Sequence, residues 1–306
     1  MLNGHGDSGG CMDRLAGRLL VGMTQGGWRN MNVVDHEPRL TGGRVTSRDG
    51  TTLGFLALGE GPKVLCIHGA LATGIDWLPV ARLLADRYRF VMFDRRGHGA
   101  SDVGAEGHTL PLEIEDVQAM LAATGQVRGV LAHSFGAVLA LHAVRMTMPD
   151  MVQSLVLYEP PLMLDRAQAR HQLTEWGKLI SAGEWEGVIT SALTDFAGMT
   201  SDEIAMMRRS QRGWASTVSM APAVAHHASM ISEVGGMVEP FECLQQPTLL
   251  FLGEVSGKVF IESIDALANV IPHRRVVRLP QQAHSAISRI PDVLADHIGS
   301  FLDAKR

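Results

Sequence analysis

From Gly43 onward the apolar positions fall into two alternating patterns. Short runs with no polar alternation occur at Lys63 to Ile67, Phe90 to Phe93, Val130 and Leu131, Gln153 to Leu157, Thr248 to Leu252 and Arg275 to Leu279. Unbroken apolar runs of this length predict strands buried on both faces. Between them lie segments with helical spacing: Ile75 to Tyr88 (Leu78, Ala81, Leu84, Ala85), Leu112 to Ala123, Ala137 to Val144, Phe260 to Val270 and Pro291 to Phe301. Arg44 to Ser47 and Thr52 to Leu58, separated by Asp49-Gly50, predict a hairpin. The alternation predicts an α/β fold with a mostly parallel central sheet and helices on both faces. It stops between residues 162 and 241, a helical stretch carrying Trp176, Trp185 and Trp214 with no strand pattern. The organisation expected is a flexible N-terminal extension over 1–42, a core over 43–161 and 242–306, and a helical lid insertion over 162–241. Residues 1 to 30 read as an extension or as an early start of the chain.

Composition narrows the partners. With 306 residues, 46% of them hydrophobic, the chain is long enough for a large core. A formal net charge of -5 gives no basic surface for nucleic acid or anionic lipid, and the run Leu19-Leu20-Val21 is far too short to span a membrane. Cys11, Cys66 and Cys243 lie far apart without metal-type spacing, which points to a reducing, cytoplasmic compartment. The 16 Met residues are read first as soft core packing. A small neutral or apolar substrate is expected, with no cofactor, no metal, and a monomer or homodimer as the working unit.

Ligand sites in parallel sheets open at the carboxyl ends of the strands, and several chemistry-bearing residues fall there. Ser134 stands between the strand ending at His133 and a helix that begins at once, a tight turn that exposes a hydroxyl beside a helix N-terminus. His68-Gly69-Ala70 and Asp94-Arg95-Arg96-Gly97-His98-Gly99-Ala100-Ser101 follow two other strands. Tyr158-Glu159-Pro160-Pro161 follows the strand after the Ser134 helix, and His284 lies in the loop before the last helix. His226 and His227 are adjacent, about 100° apart on a helix, so they do not make an i, i+4 metal pair. His133 and Cys66 are read as structural.

In this order the motifs resemble the α/β-hydrolase superfamily, including its lid-bearing serine esterases and lactonases. The resemblance covers residues from about Gly43 to the C-terminus, with Ala132 at the first glycine position of the G-x-S-x-G elbow. It implies Ser134 as nucleophile and His284 as base, in the chain order Ser, acid, His. It also implies oxyanion donors in the backbone N–H groups of Ala70 and Phe135. The commoner pattern has an Asp where this chain has Ser256. Glu159, placed as in members with a similar Tyr-Glu-Pro-Pro turn, is favoured as the acid, with Glu254 the alternative. Gly69, Leu71, Trp77, Met163 and Trp185 are candidate pocket residues, and the loop containing Asp94 and His98 is given a structural role.

The expected function is a cofactor-independent serine hydrolase cleaving an ester or lactone through an acyl-enzyme. A carbon–carbon bond hydrolase or perhydrolase on the same triad is one alternative. A non-catalytic protein holding a small ligand under the lid is the other.

Overall fold

The computed structural model describes residues 39–164 and 166–304, so the expectations for the first 38 residues lie outside it. Eight strands form one sheet: β1 (Thr41–Thr46), β2 (Thr52–Leu58), β3 (Lys63–Ile67), β4 (Arg89–Phe93), β5 (Gly129–His133), β6 (Leu155–Tyr158), β7 (Thr248–Gly253) and β8 (Arg274–Leu279). Their order is β1-β2-β4-β3-β5-β6-β7-β8. β1 and β2 pair antiparallel, as do β2 and β4, and every other pairing is parallel. β1 begins at Thr41, two residues inside the stretch expected to be an extension.

The apolar runs explain the layering. Successive residues of a strand face opposite sides of a sheet. Accordingly Leu65, Val91, Val130, Leu157 and Leu250 pack into one buried cluster, whereas Val64, Phe90, Leu131, Val156 and Leu249 pack into another. Helices α1 (Leu78–Leu84), α2 (Leu110–Thr124) and α3 (Phe135–Arg145) follow β3, β4 and β5. α2 and α3 cover the first face together with α9 (Lys258–Val270), while α1 and α11 (Pro291–Asp303) cover the second. The segment expected as one helix from Ile75 is a 3-10 turn, Gly74–Trp77, leading into α1.

Between β6 and β7 lie α4 (Arg166–Ser181), α5 (Trp185–Ser191), α6 (Ser201–Arg208), α7 (Gln211–Ser219) and α8 (Ala221–Val234). They share their own core around Trp176, Val188, Ile189, Ile204 and Val224. α8 also sends Met230, Ile231 and Val234 into the core of the sheet's first face, so it belongs to both packings. A single turn, α10 (Ala286–Arg289), precedes α11. Among the described residues no helix is long and apolar enough to cross a membrane.

Candidate active site

Three strand ends and one late loop converge at the carboxyl edge. Ser134 joins β5 to α3 with φ 53° and ψ -125°, a conformation that non-glycine residues seldom adopt. Its N–H donates to the Tyr158 carbonyl at 2.8 Å, tying the turn to the neighbouring β6. The turn leaves no space for a side chain two residues on: a Cβ at Gly136 would sit 2.4 Å from the carbonyl oxygen of His68. The loop after β3 and the turn after β5 are thus in backbone contact.

Glu159, fully buried, also has a positive φ of 49°. One carboxylate oxygen, Oε1, accepts from the Gly253 N–H at 2.7 Å and from Ser256 Oγ at 2.5 Å. The other, Oε2, lies 2.7 Å from His284 Nδ1. Both oxygens are therefore engaged and the carboxylate has one orientation. Glu254 is exposed. The His284 ring stacks on Phe260 with centroids 4.1 Å apart, its carbonyl accepts from His133 Nε2 at 3.0 Å, and the Tyr158 hydroxyl donates to the Ala283 carbonyl. Burial, and then the proximity of His284, hold the His133 imidazole well below its ordinary pKa, so it stays neutral.

Ser134 and His284 open onto one cavity of about 540 Å³. Gly69, Ala70 and Phe135 also line it, and the helical stretch between β6 and β7 contributes Trp176, Leu193, Met207, Val224 and Ile231. A half-buried serine at a turn, and an imidazole with a carboxylate fixed behind it, are the residue types that can move a proton off a hydroxyl and return it to a leaving group.

The profile of the alpha/beta hydrolase fold family matches residues 62–288. The chain belongs to the alpha/beta hydrolase fold family. It is 25% identical over 270 residues to the 2-(acetamidomethylene)succinate hydrolase of Mesorhizobium japonicum, an alignment covering 83% of this chain and 92% of that protein. A solved alpha/beta hydrolase from Sphaerobacter thermophilus superposes with a TM-score of 0.74 at 28% identity, covering 85% of this chain and 99% of the other. The esterase RhEst1 from Rhodococcus sp. shares the fold, with a TM-score of 0.70 at 20% identity over 88% of this chain and 99% of its own.

Within this alpha/beta hydrolase the pocket expectations divide. Gly69 and Leu71 line the cavity, but Trp77, Met163 and Trp185 are not among its lining residues. The Trp77 indole turns under the sheet and donates to the Ile67 carbonyl at 3.2 Å, buried with α1 and α11. Met163 packs against the core of the first face, its N–H donating to Ser263 Oγ at 2.9 Å. Trp185 packs against the core of the helical stretch. Asp94 accepts from the N–H groups of Gly74 and Ala100 at 2.7 and 2.8 Å, and His98 Nε2 lies 3.1 Å from the Ala70 carbonyl.

Two features of the hydrolase escaped the sequence reading. Ser256, noted there only for the Asp it replaces, donates to Glu159. The second is a buried group of Arg95, Glu113 and His227, from three separate elements. His108, Glu113 and His227 each bring one potential metal-ligating atom within 4.8 Å of the others. However, Arg95 Nη2 lies 2.6 Å from His227 Nε2 and 2.7 Å from Glu113 Oε2, so two of the three groups already face a guanidinium.

Proposed function

We propose that this alpha/beta hydrolase cleaves a carboxylic ester or lactone of a small, largely apolar substrate through an acyl-serine intermediate. Ser134 attacks the carbonyl carbon while His284 Nε2 takes the hydroxyl proton. Glu159 holds the Nδ1–H tautomer and stabilises the imidazolium that forms. The N–H groups of Ala70 and Phe135 stabilise the tetrahedral oxyanion. His284 then protonates the leaving alcohol, and water, deprotonated by the same imidazole, releases the acid. No cofactor enters these steps. The helices from α4 to α8 act as the lid, and their apolar side chains accept the acyl or ring portion of the substrate.

The observation that carries this reading is the 2.7 Å contact between His284 Nδ1 and a fully buried Glu159, at the edge of the cavity that Ser134 faces. The polarity of the cavity supports a neutral substrate. The Mesorhizobium relative is named for a substrate with two carboxylates, whereas among the described lining residues only Arg289 carries a fixed positive charge, and its guanidinium lies 2.6 Å from Glu203 Oε1. Release of nitrophenol from p-nitrophenyl acetate, butyrate and octanoate tests the reading. Turnover by the wild type and its abolition in Ser134→Ala are expected. Undiminished turnover in Ser134→Ala overturns it. Labelling of Ser134 by a fluorophosphonate without ester turnover would keep the serine nucleophile and move the substrate to another class, such as one cleaved at a carbon–carbon bond.

A further inference from the structure

Arg95 is a charged side chain only 1% exposed, yet it touches both segments that flank Ser134. Its Nη1 donates to the Gly69 carbonyl at 3.1 Å. The same carbonyl lies 2.7 Å from His68 Nδ1, and His68 Nε2 accepts from the Arg95 backbone N–H at 2.9 Å, which places the proton of the neutral ring on Nδ1. Gly69 O therefore receives two donors. The peptide joining Gly69 to Ala70 is planar and trans, so anchoring its oxygen fixes the direction of the Ala70 N–H on the opposite side. The Arg95 guanidinium carbon also lies 4.6 Å from the centroid of the Phe135 ring, holding the residue that supplies the second donor.

The guanidinium is in turn held by two partners. Glu113, on α2, accepts from Nε at 2.8 Å and from Nη2 at 2.7 Å. His227, on α8, lies with Nε2 2.6 Å from Nη2, and its ring stacks on Phe135 with centroids 4.7 Å apart. Since arginine only donates, His227 must accept through Nε2 as a neutral imidazole. Burial and then the Arg95 charge hold its pKa well below the ordinary value, in agreement with that state. His227 is 1% exposed and reaches this position from the helix that also contributes Val224, Ala228 and Ile231 to the cavity.

We infer that Arg95 is a positioning residue for the oxyanion donors, and that His227 couples the seating of helix α8 to it by accepting from the guanidinium. A displacement of α8 would withdraw that acceptor and take from the Gly69–Ala70 peptide the brace that aims it. The inference rests on the serine hydrolase reading and adds to it a link between the packing of α8 and the aim of the oxyanion donors.

Three variants separate the parts. His227→Phe keeps the stack on Phe135 but offers Arg95 no acceptor, and His227→Gln offers a carbonyl oxygen in its place. Removing Arg95 alone strips the buried Glu113 carboxylate of its guanidinium and endangers folding, so Arg95→Met is combined with Glu113→Gln. The readouts are kcat and KM for p-nitrophenyl butyrate and the Kd of phenylboronic acid by calorimetry, because the boronate adduct of Ser134 places an oxygen on the oxyanion donors whether or not the ester is turned over. His227→Phe and the double variant are each expected to lower kcat and weaken boronate binding by roughly tenfold or more, short of the ~100- to 1,000-fold loss when a donor is removed outright. KM is expected to change little, and His227→Gln to recover most of the loss. Wild-type kcat and boronate affinity in folded His227→Phe and in the double variant overturn the inference, as does a rise in KM alone, which would make His227 only a wall of the cavity. Boronate binding unchanged by Ser134→Ala would instead remove the serine hydrolase reading, and the inference with it.

Discussion

Ser256 Oγ donates to Glu159 Oε1 at 2.5 Å, while Glu159 Oε2 faces His284 Nδ1 at 2.7 Å. A serine stands after β7, where the commoner pattern of the family has the acid, and it donates to a carboxylate supplied from the end of the neighbouring β6. Glu159→Gln is expected to reduce kcat by roughly 10³- to 10⁴-fold, since an amide neither stabilises the imidazolium nor enforces one tautomer. Ser256→Ala removes one charge-assisted hydrogen bond and leaves the carboxylate in place, so a loss of about tenfold is expected. Glu254→Gln should behave as wild type. Near-normal turnover in Glu159→Gln with loss in Glu254→Gln would reverse the assignment of the acid.

The same geometry suggests a transplant. In Glu159→Gln/Ser256→Asp a carboxylate returns to the site from the β7 side. Partial recovery of kcat over Glu159→Gln alone is expected, measured on the same ester. Ser256→Asp in the presence of Glu159 should instead lower activity, because it sets two carboxylates side by side in a buried space. Recovery absent from the double variant, with the fold intact by circular dichroism, would show that the β7 position cannot reach His284.

Gly136 tests the turn that presents Ser134. A Cβ there would meet the His68 carbonyl oxygen at 2.4 Å and that of Ile67 at 2.9 Å, and these are backbone atoms that cannot rotate away. Gly136→Ala is expected to cost ~1–3 kcal/mol in urea denaturation. It should also lower kcat more than KM, because relief of the clash displaces both the His68 loop and the elbow. A neutral effect on both would mean that the two backbones separate freely.

The strands and helices were legible because each announces itself locally, by runs of apolar residues or by helical spacing. Ser134, Glu159 and His284 each follow a strand, and the resemblance to the family, with its order of serine, acid and histidine, implies their roles. Residue contacts across long separations were not legible. Arg95, Glu113 and His227 meet from a loop, α2 and α8, and their one shared signal in the sequence was that buried charges need partners. Adjacent His226 and His227 were weighed only as a metal pair, yet His227 is buried against Arg95 while His226 is exposed. Trp77 shows a second limit. It is an apolar candidate for the pocket, but its indole donates to the Ile67 carbonyl and packs in the core of the sheet's second face. Met163 and Trp185, likewise nominated for their apolar bulk, were absorbed by local packing.

The cavity wall contributed by α8 predicts chain-length preference. Ala228 lines the cavity and is 4% exposed, so Ala228→Leu adds three carbons where the acyl chain would lie. Each methylene of lost room is worth ~1–3 kcal/mol in a tight apolar pocket. The expected outcome is a fall in kcat/KM for p-nitrophenyl octanoate of tenfold or more, with the acetate ester changed by about twofold or less. Equal losses on both esters would place the acyl chain elsewhere.

Buried neutral histidines set the acid limit of the fold. His98 has its pKa pushed down to about 4 by burial and then by the Arg95 charge, and His68, His133 and His227 are shifted in the same direction, each chiefly by burial. In the unfolded chain these rings take a proton near pH 6.5. Between that value and the folded pKa the unfolded state binds more protons, so stability falls as the pH falls, by about 1.4 kcal/mol per pH unit for each such histidine. Asp49, held at about 2, contributes stability that is lost only at lower pH, whereas burial raises the carboxyl of Asp116 beside Arg96, which acts in the opposite sense within the carboxylate range. Urea denaturation midpoints should therefore be flat from pH 8 to 7 and decline steeply from about 6.5 toward 5. His98→Asn, which cannot take up that proton in the unfolded chain, should show a shallower decline than wild type. A wild-type midpoint that stays constant down to pH 5 would contradict the buried, neutral state of these rings.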